Sequence, residues 1–186
     1  MKRLMACLAL IWLASCGTSP EPAYYTLAPV PGAQVSHITA SFKIQRPGLP
    51  RYLDRPDIVS QSNLYRIDID QRNRWAAPLD RMIERVLAEN MRQRMPNASI
   101  VSESETSGIL PRYVVEIDIQ QFNRVEGGDV VLKAQLSVRD RAGALRTEVL
   151  SLAAAASSSP SSQAEALSRL TGRMADYIVA MILLRS

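Results

Sequence analysis

The chain has 186 residues, with 22 lysines and arginines against 18 aspartates and glutamates, a formal net charge of +4 at pH 7. The basic residues are scattered among acidic ones and form no basic run with interleaved aromatic residues, which argues against nucleic-acid binding. Two cysteines and one histidine, His37, supply neither a disulfide framework nor the ligands of a metal site, so we expect no metal and no cofactor.

The beginning of the chain predicts export and lipid attachment. Two basic residues follow Met1, an apolar stretch too short to span a bilayer comes next, and small residues precede Cys16. This order predicts a lipoprotein signal peptide over residues 1–15 and makes Cys16 the lipid-bearing first residue of the mature protein. The other interpretation is an ordinary signal peptide with a chance cysteine. Residues 16–23 are small, polar and proline-containing, as expected of a flexible tether.

The residue after the cysteine bears on the destination of the lipoprotein. Position 17 is Gly17, where an aspartate would, by resemblance to enterobacterial sorting, argue for retention in the inner membrane. We therefore expect a lipid anchor in the outer membrane, with the domain on its periplasmic face. Beyond the signal peptide no apolar stretch is long enough and sufficiently free of charges to span a membrane, so the lipid alone is expected to hold the protein.

Residues 24–186 are long enough for one well-cored domain. Period-two alternation and β-prone composition predict four strands in its first half, at residues 24–30, 38–45, 58–61 and 64–70. A hairpin turn is expected at Ser62 and Asn63. A helix follows at residues 75–95, because apolar residues recur at intervals of three and four positions until a proline ends the pattern.

The second half repeats the order of strands followed by a helix. A short strand is predicted at residues 99–101, and a meander of three longer strands at residues 112–122, 130–138 and 145–155. The closing helix extends from about Pro160 to about Leu184, and Ser162 with Glu165 forms a predicted capping box. This order predicts an α+β fold, a largely antiparallel sheet with two long helices packed on one face.

Candidate catalytic residues are few. His37 begins a predicted strand without the partners that a triad or a metal site requires. Asp68 with Asp70, and Glu116 with Asp118, share strand faces and could act as acid and base. Solvated faces opposite apolar residues explain both pairs better. We therefore expect that the protein is not an enzyme. A carboxylate-dependent hydrolase is the least favoured of three functional classes.

The segment of residues 49–59 is the candidate binding surface. Two prolines stiffen it, apolar residues lie in a predicted loop, and an acid lies beside a base. Its central residues form the candidate interface: Tyr52, Leu53, Asp54, Arg55 and Pro56. Two interpretations stand with equal weight. In the first, the loop is an assembly interface. In the second, Tyr52 and Leu53 plug the sheet edge and Asp54 accepts hydrogen bonds from local backbone amides.

Several motifs occur in a characteristic order along the chain. They are the lipobox that ends at Cys16, Tyr24-Tyr25-x-Leu27, Leu49-Pro50-x-Tyr52-Leu53-Asp54-Arg55-Pro56-x-Ile58-Val59, and Arg74-Trp75-Ala76-x-Pro78-Leu79. In order and spacing these motifs resemble the PqiC family, the paraquat-inducible protein C lipoproteins, also described as ABC-type transport auxiliary lipoproteins. The resemblance covers essentially the whole mature chain.

The resemblance implies a non-catalytic auxiliary subunit. Members of the family are understood to work with an MCE-domain (mammalian cell entry) protein, and in many bacteria with ABC transporter components, to move lipids between the inner and outer membranes. We therefore expect a docking role that contributes to envelope integrity, and a homo-oligomer. The alternative is an envelope lipoprotein that assists another machine, for lipopolysaccharide export or peptidoglycan synthesis.

Overall fold

The computed structural model describes residues 21–105, 108 and 110–184, so the predicted signal peptide and Cys16 lie outside the described residues. Ten elements follow one another along the chain. They are β1 (Ala23–Tyr25), β2 (Ser41–Ile44), β3 (Asp57–Asn63), β4 (Arg66–Trp75), α1 (Leu79–Arg94), β5 (Ser99–Ser102), β6 (Tyr113–Arg124), β7 (Val130–Asp140), β8 (Leu145–Ala154) and α2 (Pro160–Leu183).

The eight strands form one mixed sheet. The three longest pairings are antiparallel and join β3 to β4, β6 to β7, and β7 to β8. Shorter parallel pairings join β1 to β4, β2 to both β5 and β6, and β3 to β6. The predicted α+β fold is confirmed. The antiparallel pairs connect strands that are neighbours in sequence, whereas the parallel pairs connect strands that are distant along the chain.

The core lies between the sheet and the two helices, which also pack against each other. Along β7 every second side chain from Val130 to Val138 is buried. Along α2 the buried side chains recur at helical spacing, with Leu167, Leu170 and Met174 fully enclosed. Each such apolar side chain stabilises the fold by about 1.5–3 kcal/mol relative to its exposed state. In the described part of the chain, neither helix has the length and apolar character that crossing a bilayer requires.

The first helix begins four residues later than predicted, at Leu79. Trp75 is the last residue of β4, and its backbone N–H donates to the carbonyl of Pro56 at 2.7 Å. Trp75 is buried and lies four positions before Leu79, so its spacing imitates a helical stripe. Pro78 occupies the N-cap position, where the chain changes from extended to helical.

The β3–β4 hairpin turns at Leu64 and Tyr65, so the predicted turn at Ser62 and Asn63 is wrong. The side-chain oxygen of Asn63 accepts a hydrogen bond from the N–H of Tyr65 at 2.9 Å. Such local bonds are the reason why asparagine favours turns. Here the asparagine precedes the turn instead of forming its centre, and two apolar residues occupy the tip.

Residues 26–35 leave the sheet and lie across the helices, so the strand predicted at residues 24–30 ends at Tyr25. The N–H of Ala28 donates to the hydroxyl of Ser168 on α2 at 3.1 Å. The N–H of Val30 donates to the side-chain oxygen of Asn90 on α1 at 2.7 Å. These backbone groups bond to helix side chains and not to β4, which is why the β ladder stops.

The N-terminus of α2 is capped by Ser159 and not by the predicted Ser162. The Ser159 hydroxyl accepts the N–H of Ser162 at 3.2 Å, while the Ser162 hydroxyl accepts the N–H of Ser157 at 2.9 Å. Five serines lie between residues 157 and 162, and only the position where the backbone becomes helical decides which one is the cap.

We expect Ser159→Ala to lower the free energy of unfolding by about 1 kcal/mol, because it removes the acceptor of a helix N–H. Ser158→Ala is the matched control, since Ser158 is an exposed neighbour outside the cap, and it should change stability by less than about 0.5 kcal/mol. Urea unfolding followed by circular dichroism measures both variants. Equal losses in the two variants would contradict the assignment of the cap.

Candidate functional site

Two of the sequence motifs meet at the end of the β3–β4 hairpin that lies away from its turn. Asp57 at the start of β3 pairs with Arg74 near the end of β4. The bond from Trp75 to Pro56 closes this end of the hairpin. The loop before β3 is itself held by a bond from the N–H of Leu53 to the carbonyl of Pro50 at 2.9 Å. Backbone pairing therefore brings the two segments into one rigid surface.

A cleft of about 320 Å³ opens between the two motifs and the start of α1. Its lining includes Asp54, Arg55, Pro56, Trp75, Pro78 and Leu79. Trp75 and Leu79 are 5% and 3% exposed and form an apolar floor, whereas Asp54 and Pro56 are exposed at the rim. An apolar recess with a charged rim is the usual form of a pocket that receives an anchor side chain from a partner.

A buried carboxylate organises the rim of the cleft. Asp57 is 9% exposed, and its oxygens lie 3.5 Å from Nε of Arg55 and 3.3 Å from Nε of Arg74. These contacts are ion pairs without hydrogen-bond geometry, and among the described residues neither Nε atom has a hydrogen-bond partner. The two guanidinium groups share this carboxylate, and exposed Asp54 also lies on the rim, so two basic and two acidic side chains balance there.

The structure divides the five candidate interface residues into two groups. Leu53 is 2% exposed and belongs to the core, and Tyr52 is half-buried against it. The hydroxyl of Tyr52 lies 3.2 Å from the carbonyl of Gln120 and 3.3 Å from the side-chain oxygen of Asn123. Of the two interpretations of this loop, the burial of Tyr52 and Leu53 agrees with the second, in which both side chains plug the sheet.

The other three candidates, Asp54, Arg55 and Pro56, lie at the surface on the rim of the cleft. Sequence reasoning did not include Asp57 or Arg74 in the site. Asp57 directly precedes the strand predicted at residues 58–61, but Arg74 lies four positions beyond the predicted end of the next strand, so the pairing appears only with the observed length of β4.

Burial raises the pKa of the Tyr52 phenol above its usual value near 10. The folded protein therefore holds this proton more tightly than the unfolded chain does. The resulting stability is fully present below the unfolded pKa of about 10 and is lost as pH rises through the higher folded pKa.

We expect Tyr52→Phe to be less stable than the wild type by about 1 kcal/mol at neutral pH, because the hydroxyl loses its hydrogen bonds. Between about pH 9 and about pH 11 the difference should shrink, because only the wild type carries the phenol at position 52. Thermal unfolding across this range measures the effect. Tyr65→Phe, at a residue 95% exposed, is the control and should leave the pH dependence unchanged. A constant difference between Tyr52→Phe and the wild type would contradict the prediction.

Three carboxylates of the two strand pairs, Asp68, Asp70 and Glu116, have local partners. Hydrogen bonds from the side chains of Ser62 and Arg66 lower the pKa of Asp68, whereas a general acid at neutral pH requires a raised pKa. Asp70 accepts the backbone N–H of Arg72 at 3.1 Å. In the second pair, Glu116 accepts two hydrogen bonds from the guanidinium of Arg139 at 3.1 Å each.

The strand that carries Asp68 and Asp70 differs from the sequence expectation in one respect. Ile67 and Ile69, expected on a buried face opposite the carboxylates, are 37% and 41% exposed. Both faces of this part of β4 are therefore accessible. In contrast, Ile117 on β6 is buried as the alternation predicts.

Comparisons with known proteins agree with this geometry. Residues 25–179 match the family described as ABC-type transport auxiliary lipoprotein component. The chain is 24% identical over 139 residues to the intermembrane transport lipoprotein PqiC of Escherichia coli (strain K12), a match that covers 73% of each chain. The lipoprotein of the same name from Shigella flexneri matches equally.

Two solved structures share the fold. A crystal structure of an uncharacterized protein superposes with a TM-score of 0.75 at 18% identity, over 88% of this chain and 99% of the other. Protein XCC0632 from Xanthomonas campestris superposes with a TM-score of 0.72 at 15% identity, over 87% and 95% of the two chains. The family match spans both motifs of the cleft and all ten elements except the beginning of β1 and the end of α2. The predicted resemblance is confirmed, and the chain belongs to the family of ABC-type transport auxiliary lipoprotein components.

Proposed function

We propose that this protein is a lipid-anchored docking subunit of an intermembrane lipid transport system. Cys16 holds it at the periplasmic face of the outer membrane, and the cleft receives an MCE-domain partner that works with ABC transporter components. The protein itself catalyses no reaction. One observation supports the proposal most directly. Two of the motifs that carry the family resemblance, at residues 49–59 and 74–79, together form one surface cleft.

The cleft suits a docking role because it is preorganised. Backbone pairing between β3 and β4 fixes its walls, and Pro56 and Pro78 restrict the chain at its rim. A rigid site loses little conformational entropy when a partner binds. The apolar floor, and a rim on which acidic Asp54 lies beside basic Arg55, favour a partner segment that places an apolar side chain in the cleft and polar or charged groups around it.

We also propose that several copies of the protein assemble around one partner. A cleft of this size alone buries much less than the roughly 1,600 Å² of a standard protein interface. Several clefts that engage one oligomeric partner raise the overall affinity without any new type of contact. Asp54, Arg55 and Pro56 are the surface residues that we assign to this assembly.

Two substitutions test the proposal, one that fills the cleft with a bulky side chain and one that reverses a charge on its rim. Ala77→Trp fills it from an exposed lining position, and Arg55→Glu reverses the charge of its rim. Each should weaken binding of the MCE-domain partner by about tenfold or more. Arg141→Glu, in the exposed turn between β7 and β8, is the matched charge reversal and should bind as the wild type does.

The measurement is affinity purification of tagged full-length protein from envelope membranes, followed by titration of the recovered partner. Thermal unfolding of each variant verifies that the fold is intact. If the wild type recovers no MCE-domain protein, the proposed function is wrong. If all variants recover it equally, the docking site lies elsewhere on the protein.

A further inference from the structure

The turn of the β3–β4 hairpin exposes its apolar residues. Leu64 is 81% exposed and Tyr65 is 95% exposed, the highest values among the large apolar side chains of the described residues. Ile67 and Ile69 continue this exposure along β4. Tight turns normally carry polar residues or glycine, so two adjacent large apolar side chains at a tip indicate a contact surface.

The pairing of β1 shows in which direction the described chain begins relative to this tip. β1 is parallel to β4, with Ala23 opposite Asn73. Toward its N-terminus the chain therefore points in the direction of the hairpin tip. Cys16 precedes Ala23 by seven positions, and Arg66, which follows the turn, precedes Asn73 by seven positions of β4. At no more than about 3.5 Å per residue, seven residues span up to about 25 Å, which is enough to reach from Ala23 to the level of the tip.

Charges near the tip are mixed. Nε of Arg66 donates to Asp68 at 2.8 Å, and further along β4 basic Arg72 is two positions from acidic Asp70. The hairpin therefore presents no uncompensated basic patch that would bind an acidic surface. An apolar leucine beside a tyrosine matches a lipid bilayer surface, where leucine enters the hydrocarbon and tyrosine remains at the level of the headgroups.

We infer that the hairpin tip, Leu64 and Tyr65, inserts into the surface of the bilayer that holds the lipid on Cys16. The inference rests on the proposed lipid anchor. Two attachment points orient the sheet, whereas a flexible tether alone leaves it free to rotate. Trp75, at the cleft, follows Arg66 by nine positions along β4. At about 3.3 Å per residue, this places the cleft about 30 Å further from the bilayer than the start of β4. The inserted tip thus directs the docking cleft away from the anchoring membrane.

The test places a fluorescent probe at the tip of the full-length lipoprotein. Processing discards Cys7, and acylation blocks the thiol of Cys16, so an introduced cysteine is labelled alone. Tyr65→Cys carries the probe at the tip. Leu145→Cys is the matched control, because Leu145 is 56% exposed and begins β8 at the opposite end of the sheet. Both labelled proteins are reconstituted into phosphatidylcholine vesicles, and intact mass determines their acylation.

We expect lipid carrying a doxyl group to quench the probe at position 65, and aqueous iodide to quench it about fivefold less than the probe at position 145. Equal iodide quenching at both positions in acylated protein overturns the insertion and leaves the anchor intact. Protection from iodide without quenching by doxyl lipid shows that protein, such as a second copy, covers the tip, and it also overturns the inference. Absence of acyl chains overturns the anchor, and the hairpin inference with it.

Discussion

Cys16→Ser, expressed behind a cleavable non-lipoprotein signal peptide, should release the domain from the membrane while its thermal unfolding midpoint stays unchanged. Among the described residues the core begins at Leu27, eleven positions beyond Cys16, so we expect the anchor to contribute nothing to its packing. Each buried methylene of a lipid chain contributes about 0.8 kcal/mol to membrane affinity, and more than one chain gives stable anchoring. An inserted hairpin tip of two residues cannot replace that affinity.

The measurement is flotation of membranes on a density gradient, followed by immunoblotting. Wild type should float with the outer membrane, and nearly all of the serine variant should remain with the soluble periplasmic fraction. Gly17→Asp is the control for sorting, since it keeps the lipid and should move the protein toward the inner membrane. Flotation of the serine variant to the extent of the wild type would show that something other than Cys16 anchors the protein.

Arg94→Ala should be the most destabilising single substitution among those considered for the folded domain. Arg94 ends α1, is 2% exposed and joins three segments. Its Nε donates to Asp176 on α2 at 2.5 Å, and its Nη1 donates to the carbonyls of Val30 at 3.0 Å and Asn90 at 3.1 Å. Gly32 packs so closely that a Cβ there would collide with the guanidinium group.

Removal of this side chain leaves a cavity and a carbonyl of Val30 without its donor, and it removes one of the hydrogen bonds that hold residues 26–35 against the helices. We expect the free energy of unfolding to fall by about 3–5 kcal/mol, which corresponds to roughly 10 °C in Tm for a domain of this size. The carboxylate of Asp176 is 51% exposed and regains water, so the loss comes mainly from the arginine side.

Arg92→Ala is the matched control, two positions earlier on the same helix. Arg92 is 35% exposed and pairs with Glu105 at 2.6 Å. Exposed ion pairs contribute about 1 kcal/mol or less, so this variant should remain close to the wild type. Urea unfolding of both variants by circular dichroism decides the question. A loss for Arg94→Ala no larger than for Arg92→Ala would show that the buried network contributes little.

Local chemistry along the chain was enough to predict the order of strands and helices and most buried faces. The alternation in β7 and the stripe in α2 both correspond to the observed core, because side-chain periods of 2 and 3.6 are properties of the local backbone. The family also followed from motifs that are contiguous in sequence. The lipid on Cys16 stays a prediction, since it depends on recognition by a processing enzyme and lies outside the described residues.

Tertiary structure alone decided which segments meet. Periodicity tells which side chains share a face but not which strand lies beside them, so the parallel pairing of β1 with β4 could not be predicted. For the same reason the sequence left open whether Leu53 lies at an interface or plugs the sheet, and the fold buries it. The spacing of Trp75 in the sequence fits a helical stripe. In the structure its N–H donates to the carbonyl of Pro56, in the loop before β3, and Trp75 is the last residue of β4. The cleft and the Arg94 network arise from contacts between residues distant in the chain, whose energies depend on geometry that no local pattern encodes.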